Sequence, residues 1–189
     1  MPENIDEIEI SIFDTETTGL KAETGDRIVE LAGLRVKGQN RLATFDRLIN
    51  PGRQISPGAF AVNKITPQML ESAETPGVVI PKFLDFIAGS CICSYNAEFD
   101  LSFLNNELKL LSRPAVNNLI VFDVLAMARK LLPNLSRYAL WFVAKELKVQ
   151  TTQEHRALAD VEMTWEVFSK LKVICRQKGI ALDAICYKI

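Results

Sequence analysis

The sequence predicts an α/β fold with a mixed sheet flanked by helices, and two observations lead to this prediction. The first part of the chain has three apolar, β-rich runs separated by polar turns, a pattern typical of an antiparallel meander. The second part alternates short apolar runs with segments whose apolar residues recur every three or four positions. Strands that alternate with helices form parallel pairs, so we expect three antiparallel strands followed by parallel ones.

The three meander strands are read from apolar alternation and from the turns between them. Ile8 to Phe13 alternates apolar and polar residues, Ile28 to Val36 is a longer apolar run, and Arg41 to Ile49 follows the polar turn Lys37 to Asn40. The stretch from Pro51 to Pro67 is rich in Pro, Gly and Ser, so we expect a loop with short helical turns.

Helices and strands alternate in the rest of the chain. Apolar residues at helical spacing predict the helices, and short β-rich runs predict the strands between them. Ser136 is expected to cap the helix that ends near Leu147. In order, the predicted elements are a helix from Pro76 to Gly89, a strand from Cys91 to Tyr95, a helix from Glu98, a strand from Leu119 to Phe122, helices ending near Pro133 and Leu147, and a long helix from about Arg156.

Composition excludes several classes of protein. The chain has 189 residues and a net charge of −1, with 48% hydrophobic and 24% charged residues, which is the balance of an ordinary globular protein. Disordered, collagen-like and coiled-coil chains do not have this composition. The near-neutral charge excludes a broadly basic protein that wraps nucleic acid, but not an enzyme that binds a few nucleotides through metal ions.

Cysteine usage and the N-terminal sequence predict the compartment. Cys91, Cys93, Cys175 and Cys186 form no C-x-x-C pair, and a single histidine leaves too few ligands for a Cys/His zinc site. We expect free, buried thiols in a reducing environment. The acidic N-terminus lacks the features of a signal peptide, and no apolar run approaches the ~20 residues that span a bilayer. The expected location is cytoplasmic, with no membrane partner.

The first predicted strand ends in two carboxylates, Asp14 and Glu16. Residues two apart on an extended chain point to the same side, and Ile10 and Ile12 have the same parity, so this is also the core side. Carboxylates that face inward repel each other and lose hydration unless a cation compensates. Mg²⁺ and Mn²⁺ prefer such ligands. The alternative is that the strand has ended and both acids are solvated turn residues.

Asp100 lies where a short strand is followed by a helix, a common place for functional groups in α/β folds. In the first turn of that helix its charge also favours the helix dipole, and this stabilising role is the alternative. Glu98 and Asp123 could have the same structural role.

His155 is the only histidine, and it precedes Asp160 by five positions. Residues five apart on a helix are rotated by about 140°, given ~3.6 residues per turn. The two side chains therefore converge only if His155 lies on the loop before the last helix and Asp160 on its first turns. The alternative is an ordinary surface or structural histidine.

Three segments together resemble the motifs of the DnaQ-like, or DEDDh, 3′–5′ exonucleases. They are Phe13 to Leu20, Asn96 to Asp100, and His155 with Asp160. The family includes the proofreading epsilon subunit of bacterial DNA polymerase III. The resemblance covers about residues 8–171, so we expect a single exonuclease domain over residues 1–189, with this core and a C-terminal appendage at 172–189.

The resemblance implies an RNase H-like sheet and two Mg²⁺ ions, replaceable by Mn²⁺, held by Asp14, Glu16, Asp100 and Asp160. Two ions ~3.5–4 Å apart stabilise both the attacking water and the leaving 3′ oxygen of a phosphodiester. His155 would be the general base, active near neutral pH because its unperturbed pKa is ~6.5.

One position departs from the family pattern. After Phe60-Ala61-Val62, members commonly have His-Gly before an Ile-Thr pair, whereas this chain has Asn63 and Lys64. In the family this position contacts the terminal nucleotide. Asn63 can hydrogen-bond but cannot stack or carry charge as histidine does, and the alternative is a loop residue that favours a turn. Thr15 resembles the family's contact to the 3′ end.

The expected function is a metal-dependent 3′–5′ exonuclease that releases nucleoside 5′-monophosphates from single-stranded or frayed 3′ ends. DNA is the favoured substrate over RNA, and a DNA polymerase is a candidate partner. The alternatives are an RNA-trimming exoribonuclease, an interaction module that has lost catalysis, and a metal-dependent phosphatase acting on small substrates. The sequence does not determine the oligomeric state.

Overall fold

The computed structural model describes residues 5–150 and 156–189. Six strands are present in this part of the chain: β1 (Glu9–Thr17), β2 (Ile28–Lys37), β3 (Asn40–Leu48), β4 (Cys91–Ser94), β5 (Ile120–Asp123) and β6 (Tyr187–Lys188). The helices are α1 (Pro57–Asn63), α2 (Pro67–Glu71), α3 (Pro76–Ile87), α4 (Ala97–Leu110), α5 (Val124–Leu131), α6 (Leu140–Glu146) and α7 (Ala157–Gln177). Short 3₁₀ turns lie at Ile5–Glu7, Ala22–Thr24 and Leu182–Ala184.

The strands form one mixed sheet in the order β3-β2-β1-β4-β5-β6. The meander β1-β2-β3 is antiparallel, and β4 pairs in parallel with both β1 and β5. This confirms the predicted fold class. The sequence did not predict β6, which lies in segment 172–189 and pairs antiparallel with β5.

Helices cover both faces of the sheet. On one face Ile10 and Ile12 of β1 pack in a cluster with α5, α6 and α7, including Phe168. On the other face Phe13 packs with α3 and α4, including Phe83. Alternate residues of β1 therefore face opposite layers, as strand geometry requires. In β1 the even-numbered residues face α7, so the side chains of Asp14 and Glu16 point toward α7.

Capping residues explain where several helices begin. Ser56 and Thr66 accept hydrogen bonds from the backbone N–H groups of Ala59 and Met69, and a proline occupies the first turn of each helix. The first of these helices, α1, lies in the stretch from Pro51 to Pro67 where short helical turns were predicted, whereas α2 begins at the end of that stretch. Asp123 caps α5 by accepting from Ala126 N–H at 2.8 Å, and it also accepts from Ala97 N–H at the start of α4.

The prediction that Ser136 caps a helix is wrong. The next helix, α6, begins at Leu140, with Ala139 as its N-cap residue. The segment before α6 is held in a non-helical path by two hydrogen bonds. The Tyr95 hydroxyl donates to the carbonyl of Tyr138 at 2.5 Å, and the Tyr138 hydroxyl donates to the carbonyl of Leu132 at 2.7 Å. These contacts outweigh the local preference of a serine for a cap.

The cysteines are free thiols, as expected, but they differ in burial. Cys93 and Cys175 are buried, whereas Cys91 and Cys186 are half-buried, so the expectation of four buried thiols is only partly correct. Burial raises the pKa of the Cys93 thiol well above its usual range. In the described part of the chain, no helix is long and apolar enough to cross a membrane.

Candidate active site

Asp14 and Glu16 lie inside β1, near its end. Asp14 pairs with Ala32 and Glu16 with Glu30 across the antiparallel β1–β2 ladder. Both acids have the parity of Ile10 and Ile12, so they point toward α7. The alternative of a strand that ends before Asp14 is therefore wrong. The ladder register shifts just after Glu16, at the point where the chain leaves the sheet.

The start of α7 brings a third carboxylate to these two. Asp160 lies in the first turn of α7, and its backbone N–H donates to the carbonyl of Arg156. One ligand oxygen from each of Asp14, Glu16 and Asp160 lies within 4.8 Å of the other two. The sequence predicted that these acids meet, and the structure brings them together.

Asp100 adjoins this group and is fully buried. One of its carboxylate oxygens accepts hydrogen bonds from the Thr15 backbone N–H at 3.1 Å and from the Thr15 hydroxyl at 2.7 Å. The other accepts from the hydroxyl of Ser94, at the end of β4. Asp100 is in the first turn of α4, so its charge also favours that helix dipole. These contacts connect β1, β4 and α4 around the acids.

The electrostatics of the group are unfavourable without a cation. Burial first, and then the negative charges of Asp100, Asp160 and Glu16, raise the pKa of Asp14 well above its usual range. Burial and the charges of Asp160 and Glu30 raise the pKa of Glu16 to about 8. Burial raises the pKa of Asp100 to about 6, although the hydrogen bonds from Ser94 and Thr15 oppose this rise.

These donors suit a divalent ion. Carboxylate oxygens are the ligands that Mg²⁺ and Mn²⁺ prefer. Among the described residues, no lysine or arginine forms an ion pair with Asp14 or Glu16. A bound cation would supply the missing positive charge and return the carboxyl groups to their ionised forms. The residues present therefore fit a metal centre.

An ion pair between the buried Glu30 and the partly exposed Arg156 holds the start of α7 against β2. The Glu30 carboxylate, which is 1% exposed, accepts from Arg156 and from the Ala157 backbone N–H at 3.0 Å. The sequence analysis did not single out Glu30. The available signal was a lone acid inside the apolar run from Ile28 to Val36. Because Arg156 directly precedes α7, this pair fixes the helix end that carries Asp160.

His155 lies outside the described residues. The structure describes the chain up to position 150 and again from Arg156, the neighbour of His155. The convergence of His155 with Asp160 therefore stays a prediction.

The two predicted substrate contacts, Thr15 and Asn63, are both buried. The donors of Thr15 are directed to Asp100, as described above. The Asn63 amide donates to the carbonyl of Thr17 at 3.2 Å, and its oxygen accepts from Ile65 N–H at 3.1 Å. A hydrogen bond from Asn63 also lowers the pKa of Glu16, against the larger effect of burial. Asn63 thus connects the end of α1 to the acid-bearing strand.

Two adjoining cavities open at the carboxylates. The acid cleft, of about 210 Å³, is lined by Asp14, Asp100, Asp160, Phe99, Leu140 and Trp141, among others. The Asn63 cavity, of about 540 Å³, is lined by Glu16, Leu20, Ala59, Val62 and Asn63, among others. Thr15 and Phe99 line both cavities, so they form the boundary between them. The sequence analysis did not identify Phe99 or Trp141 as site residues.

Comparison with known sequences identifies the family. Residues 11–168 match the sequence profile of the RNase T family of exonucleases. A DNA polymerase III epsilon subunit from Treponema pallidum is 36% identical over 166 residues, which are 87% of this chain and 76% of the relative. A PolC-type DNA polymerase III from Bacillus subtilis is 35% identical over 169 residues, or 89% of this chain. The chain spans only 12% of that polymerase.

Solved exonucleases share the fold. Exonuclease X in complex with 5′-overhanging duplex DNA superposes with a TM-score of 0.68 at 27% identity, covering 93% of this chain and 96% of that one. Exonuclease I from E. coli in complex with a dT13 oligonucleotide gives a TM-score of 0.81 at 20% identity, covering 91% of this chain and 42% of that one. The sheet and its flanking helices are therefore RNase H-like. On the family match and the epsilon relative, this chain belongs to the DnaQ-like exonuclease family.

Proposed function

We propose that this protein is a divalent-metal-dependent 3′–5′ exonuclease of the DEDDh type that removes nucleoside 5′-monophosphates from single-stranded or frayed DNA. The observation that carries this proposal is the meeting of Asp14, Glu16 and Asp160 within 4.8 Å in a chain of the exonuclease family. Asp100, beside them in the acid cleft, completes the four predicted acids.

These four carboxylates would hold two Mg²⁺ ions, with Mn²⁺ as a substitute. When bound, such ions stabilise the charge on the attacking and leaving oxygens of a phosphodiester. The four acids place ionisable oxygens around the space where the phosphate would lie, and they come from three different elements: β1, α4 and α7. The Ser94 and Thr15 hydrogen bonds fix the orientation of Asp100. Oriented ligands cost little reorganisation when charge develops in the reaction.

His155 would be the general base that takes the proton of the attacking water. Its neighbour Arg156 is anchored to Glu30, so the backbone directly after His155 is held in a fixed position near Asp160. We expect His155→Ala to lower the rate by about 10²–10⁴-fold at about pH 8, above the ordinary imidazole pKa of ~6.5. An unchanged rate at that pH would contradict the assignment of His155 as the general base.

The Asn63 cavity would receive the 3′-terminal nucleotide. Thr15 and Asn63 line this cavity, and both match positions that contact the 3′ end in the family. Because the acids are partly buried, a strand end must separate from a duplex to reach them, which favours single-stranded or frayed ends. DNA is favoured over RNA because the relatives are named DNA polymerases or their subunits, and the solved neighbours hold DNA. A DNA polymerase is the proposed partner because an epsilon subunit is among these relatives.

Digestion of a 5′-labelled single-stranded oligonucleotide tests the proposed function. We expect a ladder of products that shorten one nucleotide at a time, with release of nucleoside 5′-monophosphates, in Mg²⁺ or Mn²⁺ and not in chelator. Asp14→Ala is the inactive control. Release of inorganic phosphate alone would support a phosphatase, and no hydrolysis of any substrate would support an interaction module. An RNA oligonucleotide of equal length tests the exoribonuclease alternative, which faster digestion of RNA than of DNA would favour.

A further inference from the structure

Arg137 and Trp141 form an exposed pair at the acid cleft. Trp141, the second residue of α6, is 36% exposed and lines this cleft together with Asp14 and Asp160. The guanidinium carbon of Arg137 lies 5.9 Å from the centroid of the Trp141 ring system. It also lies 5.7 Å from the Phe142 ring, which packs edge-on against Trp141. A cation and two aromatic rings therefore meet around Trp141, which lines the acid cleft.

The pair does not serve the hydrophobic core. Among the described residues, Trp141 belongs to none of the buried clusters that hold the sheet and helices together. In the same part of the chain, no carboxylate forms an ion pair with Arg137. A large apolar ring exposed to water beside a charged cleft is a feature of binding surfaces rather than of folding.

The backbone holds the pair in place. The Tyr95 hydroxyl is bonded to the carbonyl of Tyr138, and the Tyr138 hydroxyl to the carbonyl of Leu132. Tyr95 follows β4 and itself lines the acid cleft, so the segment that carries Arg137 is tied directly to the site. Such preorganisation reduces the entropy lost when a ligand binds.

We propose that Trp141 is the stacking platform for the base immediately 5′ to the scissile phosphate, and that Arg137 contacts the backbone of the same strand. This inference rests on the proposed exonuclease function. If the 3′-terminal nucleotide occupies the Asn63 cavity, the strand must pass Thr15 and Phe99 to enter the acid cleft, where Trp141 lies. Aromatic stacking contributes about 1–3 kcal/mol per base and tolerates any base, because every base has a π-face.

Arg137 suits the second part of this role. A guanidinium group stacks on aromatic rings and donates to phosphate in a fixed geometry. The chain has a net charge of −1 and several acids at the site, so a strand that approaches the cleft needs local positive charge. Arg137 supplies that charge on the side of the cleft where Trp141 is exposed.

Steady-state kinetics on a short thymidylate oligonucleotide test the proposal. We expect Trp141→Ala to raise KM about tenfold, which corresponds to about 1.4 kcal/mol of lost stacking, with kcat unchanged at saturation. Trp141→Phe, which keeps an aromatic ring, should restore most of the loss. The inhibition constant of thymidine 5′-monophosphate should be unchanged, because this product needs only the terminal site. Leu110→Ala, which removes an exposed apolar side chain from the end of α4, is the matched control.

The salt dependence of DNA affinity tests the role of Arg137 independently. We expect Arg137→Ala to raise KM and to reduce the slope of log affinity against log salt by about 0.7, the value for one phosphate contact on a single strand. Arg137→Lys should keep the slope. Thermal unfolding of each variant shows whether α6 is intact.

Two results would overturn the proposal. One is a wild-type KM in folded Trp141→Ala. The other is an equal loss of inhibition by the mononucleotide, because damage to the terminal site would then explain the effect. Failure of the proposed function has a different signature, since the wild-type protein would then release no mononucleotide from any strand.

Discussion

Two groups of acids in this protein have opposite surroundings. Glu107 and Glu30 each accept hydrogen bonds from an arginine and from a backbone N–H group. Asp14 and Glu16 instead lie beside other carboxylates, and no lysine or arginine in the described ranges forms an ion pair with them. Glu30 and Glu107 are almost fully buried, whereas Asp14 and Glu16 are half-buried where the cavities open, so the two groups differ both in partners and in exposure.

The comparison separates structural acids from functional ones. A buried carboxylate with a bidentate arginine is neutralised by the protein itself. A set of adjacent carboxylates with raised pKa values is a strained arrangement that a bound cation relieves, and such arrangements concentrate at functional sites. The first group should control stability, and the second should control metal binding and catalysis.

The largest expected effect comes from Asp14→Asn. This change removes a carboxylate from the acid group, so we expect the exonuclease rate to fall by about 10³-fold or more, equivalent to about 4 kcal/mol of activation free energy. Stability without metal should be equal to or higher than that of the wild-type protein, because the change removes a carboxyl group whose ionisation is disfavoured by burial and by the neighbouring acids. Rate measurement together with thermal unfolding in chelator checks both. A loss of activity caused by unfolding would contradict this assignment.

Glu107→Gln should have the opposite effects, a loss of stability and an unchanged reaction rate. The Glu107 carboxylate binds Nε and Nη2 of Arg27 at 2.7 Å each and is almost fully buried. Removing its charge leaves Arg27 without its partner, so we expect a loss of about 3 kcal/mol in the free energy of unfolding, or about 6–12 °C in Tm. The rate per folded molecule should be unchanged. Denaturant unfolding and kinetics below the transition measure these two quantities.

Glu30→Gln should affect both properties, since Glu30 belongs to the paired group but holds the helix that carries Asp160. We expect a smaller loss of stability, about 2 kcal/mol, because the Arg156 side chain is 43% exposed and water can solvate it. We also expect a lower kcat with little change in KM, since α7 would lose its fixed position. A variant with reduced stability but wild-type kcat would limit Glu30 to a structural role.

The last expected effect is the pH dependence of stability without metal. The pKa of Glu16 is about 8 in the folded protein, against an ordinary value of 4.5. The folded state therefore keeps a proton that the unfolded state releases, so stability should fall as pH rises from about 4.5 to about 8. Thermal unfolding in chelator across this range measures the fall. Glu16→Gln should make the fall smaller without abolishing it, because the pKa values of Asp14 and Asp100 are raised too, and Mg²⁺ should reverse the fall in the wild-type protein.

Local pattern was enough to predict much of the fold, and the resemblance to the exonuclease family was needed to assign the four acids of the site. Parity along β1 gave the common direction of Asp14 and Glu16, because strand geometry depends only on neighbouring residues. The strand-to-helix junction gave Asp100 for the same reason. The two-residue strand β6 escaped prediction because it is too short to show a pattern and depends on pairing with β5.

Contacts between distant residues were not predictable. Glu30 and Arg156 are 126 positions apart, and no local pattern connects them. Ser136 failed as a cap because Tyr95, far earlier in the chain, holds the segment in another path. Trp141 reads as an ordinary apolar position of an amphipathic helix, and only its exposure in the acid cleft distinguishes it.

Binding of Mn²⁺ in the presence of thymidine 5′-monophosphate tests most directly whether the clustered acids hold the metal. The free ion can be followed by electron paramagnetic resonance for the wild-type protein, Asp14→Asn and Glu107→Gln. We expect the wild-type and Glu107→Gln proteins to bind Mn²⁺ equally, and Asp14→Asn to lose binding. Wild-type binding by Asp14→Asn would contradict the assignment of the metal to these acids.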